Sequence, residues 1–150
     1  MEAINKSYIL QTKEKGYRAC YIISLLNARI YYNDPYLVSL DDDRWEVMVD
    51  KYFCRNGACL NRKLIREDLN IGRKKVDRDE IPDNLPVEIT SFTKVGFHSS
   101  LVIDTNKDNW VIVNYNGYKG NLITIIDKKD IEFLKRGHSN DEYYHLYLKE

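Results

Sequence analysis

The chain has 150 residues, the length of one ordinary domain and enough to bury about two-thirds of the surface its unfolded form exposes. Lysine plus arginine and aspartate plus glutamate number 23 each, so no overall field draws the chain toward nucleic acid or an anionic membrane. Three cysteines, an odd number, argue against a disulfide framework and for reduced thiols.

The opening stretch, MEAINKSYILQTKEKGY, lacks an apolar leader core, and no later segment approaches the roughly 20 apolar residues that span a bilayer. The expectation is a soluble, cytoplasmic protein without a membrane partner. From Cys20 to about Tyr31, the residues Ile22, Ile23, Leu25, Leu26 and Ile30 fall near helical spacing and predict a largely buried helix. In DDDRWEVMVDKYF, Asp41 to Asp43 offer N-caps and Trp45, Val49 and Phe53 recur every fourth position, predicting a second helix. Cys54 and Cys59 follow as a single pair with neither a second pair nor a nearby histidine, which favours structural thiols over a zinc site.

Leu60, Leu64, Ile65 and Leu69 predict a third helix that Gly72 ends, and GRKKVDRDEIPDNLP reads as a surface connection. Its mixed charges argue against a nucleic-acid role. From Val87 the pattern changes to β-branched runs, VEITSF, FHSSLVID, NWVIVNY and LITII, with TNKDN as a hairpin turn. DKKDIEFLKRG suggests a short helix ended by Gly137, and YYHLYLK a closing strand. The predicted class is α+β: one domain over 1–150, with an N-terminal helical half packed on a C-terminal antiparallel sheet.

Cysteine chemistry requires a thiolate, a base to hold or generate it, a group that orients the base, and donors for the oxyanion. Cys20 stands at the start of the first helix, where the helix N-terminus favours a negative sulfur. His98 lies in an apolar strand, while His138 and His145 read as surface or packing residues. In an antiparallel pair the end of VIVNY comes beside the start of the His98 strand, so Asn114 reads either as an orienter of the imidazole or as a turn former before Asn116-Gly117.

Cys20 opening CYIISLLNARIYYN, with Tyr31-Tyr32-Asn33 closing it, and FHSSLVIDTNKDNWVIVNY after it, together resemble the papain-like cysteine peptidases, closest to the small peptidase C39-like domains. Those domains carry a cysteine at the head of a buried helix that often closes on a Tyr-Tyr-Gly-like stretch, then a His strand, then an Asp or Asn ending the next strand. The resemblance implies a Cys20–His98–Asn114 triad. It also implies an oxyanion role for Gln11, which stands nine residues before Cys20, a longer spacing than the family's. Tyr21 follows the cysteine where the family usually has glycine or tryptophan, so this chain departs from both and stands closer to the aromatic variant. A shifted register with Gly16 at the nucleophile position implies an inactive peptidase but loses the tyrosine pair and the helix start.

What the resemblance implies is a hydrolase that cleaves a peptide, isopeptide or related amide bond through an acyl-enzyme, with a peptide or protein as substrate and no metal or cofactor. An amine acceptor in place of water would make it a transferase. NlpC/P60-type amidases place cysteine and histidine similarly. The alternative is an inactive papain-like domain that holds a peptide or protein in the same groove.

Overall fold

The computed structural model describes residues 3–10, 20–34, 51–52, 61–133 and 142–149. Helix α1, Cys20–Tyr31, has Tyr21 through Arg29 all buried, so it is enclosed on every side rather than along one stripe. It ends in a paired-carbonyl cap: Asp34 N donates to Arg29 O at 2.9 Å and Asn33 N to Ile30 O at 3.0 Å, with Asn33 at φ 60°. Asparagine tolerates that left-handed position where glycine is usual. Arg29 reinforces the end by donating to Leu69 O at 2.6 Å and pairing with Asp34 at 2.8 Å.

Of the second predicted helix, Lys51 and Tyr52 are helical, and the remainder lies outside the described residues, as do Cys54, Cys59 and His138. Helix α2, Arg62–Asp68, starts at Asn61, whose side chain accepts from Leu64 N at 3.1 Å. It stops before Asn70, at φ 56°, and not at Gly72. The expected surface connection is instead a strand, β1, Ile71–Val76, followed by a 3-10 turn over Arg78–Asp83. Three consecutive exposed cations mask this strand in the sequence. Gly72 sits in β1 opposite Tyr147, whose ring covers it and occupies the space a Cβ would take.

The remaining strands are β2, Val87–Thr93; β3, Gly96–Asn106; β4, Asn109–Val113; β5, Ile123–Asp127; β6, Glu132–Phe133; and β7, Tyr143–Leu148. They form one antiparallel sheet in the order β1-β7-β2-β3-β4-β5, with β6 paired to β2. The β3–β4 hairpin turns at Lys107, φ 53°, as TNKDN anticipates. DKKD is a 3-10 turn leading into β6 rather than a helix. The chain is therefore a mixed α+β protein with an antiparallel sheet.

The sheet is buried on both faces. Leu101, Ile103, Val111, Val113 and Leu146 pack with α1, whereas Val87, Ile89, Val102, Trp110 and Ile112 form a second layer with Ile81 and Tyr143. A β-bulge between Val102 and Asp104 skips Ile103 in the β3–β4 register, and Ile103 packs in the α1 layer, on the same face as Leu101. No helix among the described residues is long and apolar enough to cross a membrane.

The N-terminal segment is laid along α1 by Asn27, which is fully buried. Its Oδ1 accepts from Ile9 N at 2.7 Å and its Nδ2 donates to Ile9 O at 3.0 Å, closing a backbone ladder with a side chain. Replacing Asn27 with alanine leaves the two part-buried backbone groups of Ile9 without this partner. The expected loss is about 2–4 kcal/mol, read as a lower urea midpoint at unchanged m-value. A loss below about 1 kcal/mol would mean that water replaces the amide.

Candidate active site

Cys20 is the first residue of α1, where the leading N–H groups of a helix lack intrahelical partners. The residue keeps partial exposure, yet its thiol is enclosed by protein. Burial pushes the thiol above its ordinary value, and the nearby Glu88 carboxylate adds to the rise. The backbone N–H groups of Ser99 and Tyr21 and the guanidinium of Arg62 oppose it without reversing it. The sequence-based expectation of a lowered pKa therefore gives way to desolvation, which outweighs the helix terminus.

Ser99 also ties the helix to β3 through its side chain, which donates to Ser24 Oγ at 3.1 Å. Pairing of β3 with β4 ends at Leu101 and Val113, so the edge of β3 from Gly96 to Ser100 is not covered by β4. The Cys20 sulfur meets β3 there, beside the Ser99 N–H. Alternation turns Ser99 toward α1 and His98 toward the second layer, opposite Ser91.

His98 is 2% exposed. Its Nε2 lies 2.6 Å from the backbone carbonyl oxygen of Asn114 and 3.3 Å from that residue's amide nitrogen. The carbonyl can only accept, so the shorter contact makes Nε2 the donor and leaves Nδ1 with its lone pair. Burial lowers the His98 pKa, opposed by the Asn114 carbonyl, and the ring is neutral at pH 7. Asn114 is itself buried, at φ 62°, with its N–H donating to Leu122 O at 2.8 Å. Both sequence readings of Asn114 thus describe it: it turns the chain at the end of β4, and its carbonyl orients the imidazole.

The fold brings Cys20 to the backbone of the residue after His98, and His98 to Asn114. No hydrogen bond joins Cys20 to His98 among the described residues, and Gln11 lies outside them. His145, in β7, has Nδ1 3.3 Å from Pro86 O, a packing position as expected. No group of histidine, cysteine, aspartate or glutamate among the described residues could hold a metal ion.

Sequence reasoning missed Glu88. It is 3% exposed on the α1 side of β2, accepts from Thr90 Oγ1 at 3.2 Å, and lies beside the Ser99 hydroxyl. Burial raises its pKa against the pull of Arg62, Thr90, Arg73 and Ser99. The one available signal was a carboxylate inside a β-branched run. Ser91 and Ser100 place buried hydroxyls with no hydrogen-bond partner among the described residues on the His98 side of the sheet.

No protein-family model matches the chain, and no curated protein matches it.

His98 and Glu88 impose opposite pH slopes. An unfolded histidine takes up its proton near pH 6.5, whereas buried His98 resists it, so its contribution is present above about pH 6.5 and lost as pH falls through the folded value. Glu88, raised, contributes stability below about pH 4.3 that is lost as pH rises through its folded value. Urea unfolding between about pH 7.5 and 5.5 should therefore show less acid weakening in His98→Gln than in the parent, and more in Glu88→Gln. Identical slopes in all three proteins would remove both groups from the pH response.

Proposed function

We propose that the chain is a papain-like cysteine hydrolase that cleaves a peptide, isopeptide or related amide bond through an acyl-enzyme on Cys20. The observation that carries this reading is the His98 imidazole: buried, neutral, held through Nε2 by the Asn114 carbonyl with Nδ1 left as a base, and carried by the strand residue that precedes Ser99, whose N–H lies against the Cys20 sulfur.

In this scheme the resting pair is thiol and neutral imidazole, not thiolate and imidazolium. Substrate binding closes the remaining distance, as catalytic hydrogen bonds often tighten only in the complex. His98 Nδ1 takes the thiol proton as Sγ bonds to the carbonyl carbon. The oxyanion is met by the Cys20 backbone N–H at the helix start and by the Gln11 amide. Collapse breaks the C–N bond, His98 returns the proton to the leaving amine, and water then hydrolyses the thioester with His98 again as base. No metal or organic cofactor enters the scheme.

A second reading, a papain-like module that holds a peptide or protein without turnover, draws on the upward shift of the Cys20 thiol, which keeps it protonated at neutral pH.

An activated acyl ester separates the two. p-Nitrophenyl acetate should give a burst of one nitrophenolate per chain with acetyl found on Cys20 by mass spectrometry. His98→Ala should slow acylation about 10²–10⁴-fold, and the parent rate should level off above the lowered pKa of His98. Acylation of Cys20 that is equally slow in the parent and in His98→Ala would favour the non-catalytic module.

A further inference from the structure

We propose that the surface beside Cys20 is a carboxylate-recognition subsite, built by Arg62 and Arg73, which selects substrates bearing an acidic group next to the bond that is attacked. This deepens the hydrolase reading and rests on Cys20 as the reacting group.

Tyr21, the residue after Cys20, is buried in the core and gripped from α2 by two arginines one helical turn apart. The Arg62 guanidinium carbon lies 4.9 Å from the centre of the Tyr21 ring, and Arg66 Nη1 donates to the Tyr21 hydroxyl at 2.9 Å. From the other side, Arg73 of β1 stacks at 4.2 Å on the ring of Tyr144 in β7. A guanidinium lying over an aromatic face spends its flat side on the ring and leaves its N–H edge free. That edge is the fork that grips a carboxylate through two parallel hydrogen bonds.

Arg62 and Arg73 are exposed, and neither is in an ion pair among the described residues. The acidic groups facing them are few. Glu142 accepts from Tyr144, lies 3.7 Å from Lys75 and feels the Arg73 charge as well, so Lys75 and Arg73 share it. Glu88 lies buried beneath both arginines, and burial favours its neutral form. The positive field of Arg62 reaches the Cys20 sulfur and Glu88, and that of Arg73 reaches Glu88, Tyr21, Tyr144 and Glu142. The cluster thus presents two forks outside any ion pair among the described residues, Arg62 beside the thiol and Arg73 on the far side of the buried Glu88.

Two reagents that deliver nearly the same carbon to sulfur test this directly: iodoacetate, with a carboxylate, and iodoacetamide, with a neutral amide. The ratio of their rates at Cys20, read by peptide mass spectrometry at one pH, cancels the ionisation of the thiol. Arg62→Gln should lower the iodoacetate-to-iodoacetamide ratio about threefold, and Arg62→Gln with Arg73→Gln further. Arg62→Lys, which keeps the charge but not the fork, should fall between. Both positions are exposed, so folding should survive the changes. A ratio unchanged in the double variant, or a Cys20 inert to both reagents in the folded protein, overturns the subsite.

Protection of Cys20 from iodoacetamide names the source of the carboxylate. An end-blocked diglutamate peptide tests an acidic side chain, and acetylated diglycine with a free carboxyl terminus tests a chain end. Protection by either supports the subsite, and protection by neither at millimolar concentration overturns it. If the acetyl burst fails while the reagent ratio still falls, the hydrolase reading is lost and the carboxylate site stands.

Discussion

Ser99 occupies the seam between α1 and β3, and the geometry around Cys20 depends on that seam. Its hydroxyl donates to Ser24, one turn into the helix, its N–H lies against the Cys20 sulfur, and Glu88 lies beside it from β2. A helix buried on all sides can dock only where its few polar groups find partners, because an unpaired hydroxyl or amide there costs about 1–3 kcal/mol. Ser24 finds Ser99 and Asn27 finds the backbone of Ile9. These two contacts set the rotation and depth of α1, and so where its first residue meets the sheet.

Desolvation dominates the electrostatics that follow. Cys20 is pushed up, His98 down and Glu88 up, all three toward their neutral forms, although helix end, carbonyl and guanidinium groups each pull the other way. The permanent charge is kept at the rim. There the Arg62 guanidinium lies over the Tyr21 ring and that of Arg73 over the Tyr144 ring.

The parts of the fold written in local pattern were legible. The apolar residues after Cys20 made a buried helix, the β-branched runs after Val87 made strands, and TNKDN made the hairpin turn. The strand at Ile71–Val76 was not, since its middle is Arg73-Lys74-Lys75 and its pairing partner, β7, lies at the far end of the chain. Nor was the end of α2, where Asn70 takes the left-handed conformation that glycine was expected to supply. Glu88 was invisible for a related reason. Alternation marks one buried face of a strand, whereas a central strand covered on both faces has no polar side to reveal an unusual residue.

The sequence by itself determined that Cys20 heads a helix, that His98 lies in a strand and that Asn114 ends the next one, because each follows from a local period or a turn-forming residue. Tertiary structure decided what those positions mean. It set the imidazole on the Asn114 backbone carbonyl rather than its side chain, enclosed the thiol deeply enough to outweigh the helix terminus, and gathered Glu88 and Arg62 from separate elements around Cys20, with Arg73 reaching Glu88. Desolvation and charge proximity are properties of the packed chain. Neither has a spacing in the sequence from which it can be read.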